Sequence, residues 1–311
     1  LIKENKPDCL ISSNMPLFFF FFVQRRCLKQ GVSFLYWVQD FYSLAIFKEF
    51  SARYGYVGRL IGRFFFRLEK KCLRKASSII VISSDFLETL KRWKIAEDKC
   101  HVIENWAPVD EISAKSKDNS WSGKNRLNAT FNFLYSGTLG LKHNPRMLVD
   151  LAMKFRDDNQ VRIVVISEGV GREYIEEKKS EYNLPNLILF DYQPFECFSD
   201  VLASGDVLIA ILESDAGVFS VPSKVLSYHC AKRALLLCVP LNNLASSIVT
   251  KNRTGLCYDP ADVDGFLSGA DTLYKDASLN STLAKNARAY AESTFDIERI
   301  SEKFELIILN N

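Results

Sequence analysis

The chain has 311 residues, of which 48% are hydrophobic and 25% charged, and its formal net charge at pH 7 is +3. This length suits two domains, and the composition excludes a disordered, collagen-like or coiled-coil protein. The small net charge implies no polyelectrolyte partner, so binding to nucleic acid is not indicated. The eight cysteines are scattered without a CxxC pair, which favours a reduced, cytosolic chain without structural zinc.

The longest apolar run, Met15 to Val23, is far shorter than the ~18–20 residues of a membrane-spanning helix. No basic region precedes this run, so the run does not indicate a signal peptide. The chain opens with Leu1 and enters a strand-like pattern almost at once. This start predicts a fragment whose first strand or two are missing.

Strand-like and helix-like patterns alternate along the first part of the chain. Helices are predicted between buried strands, and this alternation indicates a parallel sheet covered by helices. Gln39 and Asp40 follow the second strand, at the edge where such sheets bind ligands. The predicted strands are 7–13, 33–38, 77–83 and 101–104, and the predicted helices are 17–30, 59–75 and 86–93.

The helix predicted over 59–75 is divided into a basic face and an apolar face. An ordinary surface helix packed on a sheet explains this division. A surface for anionic phospholipid or an anionic lipid carrier explains it as well. The basic residues recur every three or four positions, at Arg59, Arg63, Arg67, Lys70 and Arg74.

A polar stretch, 114–128, predicts a linker between an N-terminal domain, 1–113, and a C-terminal domain, 129–311. A second alternating series begins after this linker, and the tail from 261 onward is predicted to be mostly helical. The two halves are alike in architecture and unlike in sequence, which predicts two α/β domains. The strands of the second half are predicted over 131–135, 161–166, 187–190, 206–212 and 234–239.

Four loops of the second half follow predicted strands and are expected to meet at the carboxyl edge of one sheet. They contain five glycines and two lysines, Lys142 and Lys224. Glycine lets a backbone approach a phosphate closely, and lysine adds a full positive charge. Each loop alone is explained as an ordinary turn, but the four together favour a site for a nucleotide diphosphate. The loops are 136–144, 167–171, 191–194 and 213–224.

The last of these loops leads into a short predicted helix. Ser220, Pro222, Ser223 and Lys224 lie where this helix starts. Proline suits a first helical turn, serine suits a helix cap, and free N–H groups at such a start favour an anion. An ordinary capped helix in an ordinary sheet explains the same residues. The chain has neither a GxxxxGK[ST] loop nor a GxGxxG turn after a first strand, so a P-loop NTPase and a dinucleotide site are not indicated.

Several of these segments resemble the GT-B glycosyltransferases of family 4. The closest likeness is to the bacterial branch that builds O-antigen and capsule, including fucosaminyltransferase-like members. The resemblance implies two Rossmann-like doubly wound domains that face a cleft, the first of them incomplete. In the second half it rests on YSGTLGLKHNP (135–145), ISEG (166–169), SGDVLIAIL (204–212) and SVPSKVLSY (220–228). In the first half it rests on PDCLISSNMP (7–16), VQDFY (38–42), SSIIVIS (77–83) and KCHVIENWAP (99–108).

This resemblance implies transfer of a sugar from a nucleotide diphosphate sugar, expected to be UDP-linked, to a lipid-linked saccharide in surface polysaccharide synthesis. It also implies retention at the anomeric carbon, with neither a metal nor a cofactor. The enzyme is expected to be cytoplasmic and peripheral on the inner face of the plasma membrane, bound through the basic helix 59–75 and the segment 18–22. Two alternatives remain open: a non-catalytic nucleotide-sugar-binding remnant and a GT-B nucleotide-sugar epimerase.

The site residues of the family carry over unevenly. Thr138 stands where the family usually has an Arg, and Phe219 and Ser227 stand where it usually has two glutamates. The resemblance therefore assigns the phosphate to Ser223 and Lys224. The expected donor-binding residues are Gly137, Thr138, Lys142, Glu168, Gly169, Tyr192, Gln193, Asp215, Gly217, Ser220, Ser223 and Lys224.

The candidate catalytic residues are Asp40, expected to face the acceptor, and Glu213, expected with Asp215 to contact the hydroxyls of the donor sugar. No metal site is expected. His143 is expected to form a hydrogen bond within its turn rather than to catalyse, and His229 is expected to pack inside the fold.

Overall fold

The computed structural model describes residues 7–13, 15–140, 143–214 and 222–310. It divides into two compact units, the first made of Leu1–Asn105 with Ile297–Asn311 and the second of Trp106–Asp296. Each unit is built around one parallel β-sheet. The α/β class predicted from the alternating patterns is therefore confirmed.

The sheet of the first unit has its strands in sequential order, β1-β2-β3-β4. Buried positions on β2 and β3 form its centre, because both strands have neighbours on each side. The strands are β1 (Cys9–Ser12), β2 (Ser33–Val38), β3 (Ser78–Val81) and β4 (Cys100–Val102). The helices between them are α1 (Leu17–Lys29), α2 (Tyr42–Lys75) and α3 (Ser84–Arg92).

Helix α2 is longer than the sequence predicted, and it folds back on itself. Its backbone leaves the helical region at Gly55 (φ 54°, ψ −124°). Gly58 then packs so closely on the preceding turn that a Cβ there would lie 1.7 Å from the carbonyl oxygen of Phe50. Since residues eight positions apart in a straight helix are ~12 Å apart, α2 is a helical hairpin. We call its segment 42–54 the arm and its segment 56–75 the limb.

The sheet of the second unit has the strand order β10-β9-β8-β5-β6-β7. Large apolar clusters cover both of its faces, as expected for a parallel sheet between helical layers. In chain order, the elements are α4 (Ser120–Lys124), β5 (Phe131–Ser136), α5 (Arg146–Lys154), β6 (Val161–Ile166), α6 (Val170–Glu181), β7 (Leu187–Phe190), α7 (Phe198–Ala203), β8 (Val207–Ile211), α8 (Lys224–Cys230), β9 (Ala234–Cys238), α9 (Leu244–Lys251), β10 (Gly255–Tyr258), α10 (Val263–Lys275) and α11 (Ala277–Thr294).

The two units divide the chain differently from the predicted domains. The polar stretch 114–128 carries α4, and its Trp121 is buried against Phe190 at 5.2 Å, so this stretch belongs to the second unit. The last helix, α12 (Ile297–Leu309), belongs to the first unit, where Phe304 packs 5.2 Å from Trp37. Contacts between aromatic rings far apart in the chain accompany both assignments, and such contacts leave no periodic pattern in the sequence.

The described helices also bear on the membrane question. None of them combines the length and the apolar character that a bilayer-spanning helix requires.

Candidate functional site

The strand order of the second sheet places a switch point between β5 and β8. The chain runs outward from β5 through β6 to β7 on one side, and from β8 through β9 to β10 on the other. In such sheets the loops after the two central strands diverge at the carboxyl edge and leave a crevice for a ligand. Gly137 and Thr138 follow β5, and Glu213 follows β8, so these residues lie at the edge where a ligand is expected.

Lys224 brings a positive charge to this edge. Its ammonium nitrogen is buried and lies 3.7 Å from the centroid of the Tyr135 ring. A Cβ on Gly137 would lie 2.7 Å from the same nitrogen, and Gly137 has a φ of +137° that favours glycine. The absence of a side chain at Gly137 therefore makes room for the ammonium group. An ammonium on an aromatic face is stabilised by ~0.5–2 kcal/mol.

Two buried tyrosines fix the backbone around this ammonium group. The hydroxyl of Tyr228 accepts a hydrogen bond from Ser136 N at 3.0 Å and donates one to Ser136 O at 3.1 Å. The hydroxyl of Tyr135 donates to Thr138 O at 2.9 Å. Burial raises the pKa of both tyrosines, so each hydroxyl keeps the proton that it donates.

The loops after β5, β6 and β7 converge on one another. Leu139 N donates to Glu168 O at 3.2 Å, and the hydroxyls of Thr138 and Tyr192 lie 2.6 Å apart. Gly169 has a φ of +98°, and a Cβ there would lie 3.3 Å from Leu139 O. Thr138, Tyr192 and the 168–169 turn are exposed, so their polar groups can reach a ligand. Three of the four loops predicted to meet therefore do so, and residues 215–221 of the fourth, 213–224, lie outside the described ranges.

Gln193 is turned toward residues that sequence reasoning missed. Its Oε1 accepts from Trp121 Nε1 at 2.9 Å, and its Nε2 donates to Asp191 O at 2.9 Å. Asp191 also pairs with Arg172 at 2.5 Å. Trp121 comes from the stretch predicted as a linker, so the spacing of motifs gave no signal for this contact.

Ser223, one of the two serines at the predicted start of this helix, does not cap it. It precedes α8, but its backbone is already helical (φ −57°, ψ −27°) and its side chain forms no capping hydrogen bond. A side-chain cap needs a non-helical backbone at that residue, so Ser223 does not provide the serine cap expected at this helix start. Ser223 is exposed and directly precedes Lys224. The predicted donor residues Lys142, Asp215, Gly217 and Ser220, together with Phe219, lie outside the described residues.

The two candidate catalytic acids lie in different units. Glu213 is half-buried after β8. Burial raises the pKa of the nearby Cys238 to about 12, and the charges of Asp259 and Glu213 act in the same direction. Asp40 is half-buried after β2.

The loop that carries Asp40 is fixed on both sides. On one side, Gln39 Oε1 accepts from Asn105 Nδ2 at 2.7 Å. On the other, the ring of Phe41 packs between those of Phe86 and Trp93, with centroids 4.8 and 4.9 Å away.

The hydrogen bond expected of His143 and the packing expected of His229 are both present in the structure. Gly140 N donates to His143 Nδ1 at 3.1 Å, which is a hydrogen bond within the turn. His229 is fully buried, with its two ring nitrogens 2.7 Å from Val225 O and 2.9 Å from Thr254 Oγ1.

Acidic residues of the described ranges do not assemble into a cluster with His or Cys that could hold a metal ion. The sequence has one Asp-X-Asp spacing, Asp262 and Asp264, at the start of α10. Asp262 Oδ1 accepts from Gly265 N at 2.9 Å, so this carboxylate caps the helix.

The first unit exposes aromatic and basic side chains side by side on α1 and α2. Phe18 of α1 and Phe64 of α2, both about half exposed, have ring centroids 5.9 Å apart, so the apolar part is continuous across the two helices. A groove of about 690 Å³ lies along the limb of α2, lined by Arg63, Phe66, Arg67, Lys70, Lys71, Arg74 and Lys75. We call Phe18, Phe19, Phe22, Leu60 and Phe64 with the basic residues of this groove the aromatic-basic surface.

Comparisons with known proteins agree with this architecture. The profile of Glycosyltransferase Family 4 matches residues 1–111. Comparison with curated protein sequences gave no significant match.

Among solved structures, HepE from Anabaena in complex with UDP-glucose is similar with a TM-score of 0.78 at 13% identity, over 98% of this chain and 79% of that one. Sucrose-phosphate synthase from Thermosynechococcus elongatus gives a TM-score of 0.77 at 16% identity, over 99% and 75%. WaaG, described as a glycosyltransferase involved in lipopolysaccharide biosynthesis, gives 0.72 at 16% identity, over 100% and 80%. The chain therefore has the GT-B fold, and its residues 1–111 match the family 4 glycosyltransferases.

Proposed function

We propose that this protein is a glycosyltransferase that uses a nucleotide diphosphate sugar, UDP-linked, as its donor. The observation that carries the proposal is the buried ammonium group of Lys224 beside the Gly137 turn, at the switch point of the second sheet. A cation at that position suits a diphosphate, and charge-assisted hydrogen bonds to phosphate are about twice as strong as neutral ones. The similarity to HepE, whose structure holds UDP-glucose, supports the same donor class.

In this proposal, the second unit stabilises the charge that develops on the leaving diphosphate. Lys224 supplies the cation, and the neighbouring hydroxyls of Ser223, Thr138 and Tyr192 supply hydrogen bonds. Glu213, after β8, orients the hydroxyls of the donor sugar. The transfer proceeds with retention at the anomeric carbon and without a metal or an organic cofactor.

We further propose that the acceptor is a lipid-linked saccharide in surface polysaccharide synthesis, of the O-antigen or capsule type. Asp40 faces this acceptor from the fixed loop after β2. The similarity to WaaG supports an acceptor related to surface polysaccharide. Under this proposal the enzyme is cytoplasmic and binds the inner face of the plasma membrane.

The aromatic-basic surface supports the membrane part of this proposal. Cationic side chains favour anionic headgroups, at ~1 kcal/mol for each Lys or Arg near the surface. Exposed phenylalanines beside them add apolar area that can enter the boundary between headgroups and acyl chains. Basic residues alone would also suit a soluble anionic partner, so the adjoining aromatic residues are what favours a lipid surface.

The donor site is tested by calorimetric titration of UDP and UDP-sugars into the wild type, Lys224→Ala and Lys285→Ala. Lys285 is an exposed lysine on α11, so it controls for the loss of one positive charge. We expect Lys224→Ala to weaken UDP binding by ~1.5–3 kcal/mol, the value of a hydrogen bond to a charged group, and Lys285→Ala to leave it unchanged. Unchanged UDP binding by Lys224→Ala, with a lowered melting temperature, would mean that Lys224 only supports the fold.

Transfer itself is tested with radiolabelled UDP-sugars and a lipid-linked saccharide extract. Formation of a glycosylated product would support the proposal that the protein is a glycosyltransferase. Donor binding without transfer would point instead to a nucleotide-sugar-binding protein that does not catalyse, and interconversion of two UDP-sugars would point to an epimerase.

The membrane surface is tested by flotation with vesicles of neutral lipid and with vesicles that contain anionic lipid. We expect the wild type to float only with the anionic vesicles. Two double variants should each reduce the fraction bound to anionic vesicles: Phe18→Ser/Phe22→Ser and Arg63→Glu/Arg67→Glu. Added salt should weaken vesicle binding by the wild type, because it screens the charges of the basic residues. Equal flotation of all variants would contradict this use of the surface.

A further inference from the structure

Glu69, on the limb of α2, has a fully buried carboxyl group that contacts the start of the same helix. Its Oε2 accepts from Ser43 Oγ at 2.5 Å and from Ser43 N at 3.2 Å. Its Oε1 accepts from Tyr42 N at 3.1 Å and lies 3.5 Å from the hydroxyl of Tyr36 on β2. The two backbone N–H groups belong to the first turn of α2, where a helix has no acceptor of its own. Glu69 therefore caps the helix on which it lies, because the hairpin brings the limb back to the start of the arm.

The capped turn directly follows the loop that carries Asp40. Phe41 is the residue before α2, and its ring is buried. A carboxyl group that fixes Tyr42 and Ser43 thereby fixes the point at which the Asp40 loop enters the helix.

The arm has few other anchors. Among the described residues of the arm, Ser43 is the one that is buried, and Tyr54, next to the turn at Gly55, is exposed. At the far end, Gly58 and Gly62 of the limb pack against the backbone of the arm. A segment with so few buried apolar contacts opens locally at a low free energy, so the contact with Glu69 sets much of its stability.

Among the residues that the structure describes, no cation lies against Glu69 to balance a negative charge. The titratable groups that face it are Tyr36 from β2, Tyr42 from the arm and Cys72 from the limb. Within the described ranges, Lys, Arg and His side chains form no ion pair with it. Burial raises the pKa of Glu69 from 4.5 to about 7, although the hydrogen bonds from Ser43 and Tyr42 act in the opposite direction.

We propose that Glu69 is the positioning residue of the Asp40 loop, and that ionisation of its buried carboxyl group loosens the arm of α2. The role in acceptor binding rests on the proposed function, whereas the loosening of the arm does not. The neutral acid is favoured in the closed arm, and the carboxylate is favoured once the arm opens and Glu69 reaches water. Opening therefore increases as the pH rises from 4.5 to about 7, by up to about 300-fold, and is constant at higher pH.

Hydrogen exchange of the amides of 42–54 between pH 5 and 8, corrected for the intrinsic exchange rate, tests this coupling. The wild type should lose protection as the pH rises to 7 and then level off. Glu69→Gln keeps an acceptor oxygen but cannot ionise, so its protection should not depend on pH. Glu49→Gln is the matched control, since Glu49 is exposed on the same arm, and it should behave as the wild type. Constant protection in the wild type, or an unaltered pH dependence in Glu69→Gln, would overturn the proposal.

A second variant covers the case in which Glu69→Gln does not fold. The Ser43 hydroxyl donates a hydrogen bond to Glu69 and thereby lowers its pKa. In Ser43→Ala, the pH at which hydrogen-exchange protection of the arm becomes constant should therefore be higher than in the wild type. No movement would contradict the proposed clamp.

The link to the Asp40 loop is tested by the KM for the acceptor at pH 5.5 and 7.5. The KM of the wild type should rise with pH, and that of Glu69→Gln should not. A pH-dependent arm with a constant KM would overturn the positioning role. Absence of transfer from any nucleotide sugar would instead reject the proposed function, while the exchange experiment would still report on Glu69.

Discussion

Each unit buries an ionisable side chain, and the two respond to pH in opposite directions. In the first unit, burial raises the pKa of Glu69 to about 7. In the second, burial lowers the pKa of His229 to about 4. The cause is the same in both, because a buried site disfavours whichever form is charged.

The opposite shifts give the two units different pH ranges of highest stability. The contribution of Glu69 is fully present below 4.5 and is lost as the pH rises to 7, whereas that of His229 is present above 6.5 and is lost as the pH falls to 4. Each amounts to about 3 kcal/mol, since one pKa unit corresponds to about 1.4 kcal/mol. Glu69 supports the Asp40 loop and His229 lies in α8 with Lys224, so pH acts separately on the two candidate binding edges.

The units also differ in what their close-packed glycines face. Gly58 of the first unit faces the backbone of Phe50, which cannot move without disturbing the hairpin. Gly137 of the second unit faces the ammonium end of Lys224, which is flexible. A side chain at the first position should therefore damage the fold, and one at the second should damage the binding edge.

Gly58→Ala should have the largest effect. Its Cβ would lie 1.7 Å from Phe50 O and 2.3 Å from the carbonyl carbon, so the arm must separate from the limb. We expect a loss of about 3 kcal/mol in the free energy of unfolding, at the upper end of the usual range for overpacking. Urea denaturation measures this loss. Gly123→Ala, whose Cβ meets nothing within 4 Å, is the control and should be nearly neutral.

UDP binding by the folded fraction of Gly58→Ala should equal that of the wild type, because Gly58 lies in the first unit and the proposed donor site lies in the second. If Gly58→Ala is as stable as the wild type, or if it binds UDP more weakly, then Gly58 does not act on the fold alone, and the proposed difference from Gly137 is contradicted.

His229→Gln should remove the acid sensitivity of the second unit. In the wild type, protection of 224–258 from hydrogen exchange should fall by up to about 3 kcal/mol as the pH decreases from 6.5 to 4, because His229 must then gain a buried charge. In His229→Gln this fall should disappear. His101→Gln, on β4 of the first unit, is the control and should retain it. If protection in His229→Gln still falls in acid, a titratable group other than His229 causes the acid sensitivity.

The sequence predicted the strands well, because runs of buried apolar residues between turn signals are a strong local pattern. Three predicted strands, at 33–38, 161–166 and 187–190, have the bounds of β2, β6 and β7. The meeting of the loops at one edge also followed from local patterns, since parallel strands place their carboxyl ends together. Lys224 could be assigned to that edge for the same reason.

The partners of these residues could not be predicted, because each contact joins positions far apart in the chain. In the sequence, Tyr135 fits the apolar pattern of a strand, yet in the structure its ring contacts the ammonium group of Lys224. Trp121 lies in a polar stretch and holds Gln193. Glu69 lies in a basic stretch of sequence, and it is buried because α2 folds back at Gly55. Tertiary contact, rather than local pattern, decides these three roles.

Gly137→Ala should have the smallest effect on stability and a selective effect on binding. Its Cβ would lie 2.7 Å from Lys224 Nζ and 2.9 Å from Cε, so the ammonium group must leave the Tyr135 ring. We expect UDP binding to weaken by ~1–2 kcal/mol, roughly 5- to 30-fold, the scale of one displaced charged contact. The φ of +137° adds strain of ~1 kcal/mol to the folded state. Gly140→Ala, in the same turn and with open space at its Cβ, is the matched control and should bind UDP as the wild type does. Equal affinities of the two variants would show that the ammonium group need not lie at the Gly137 turn for UDP to bind.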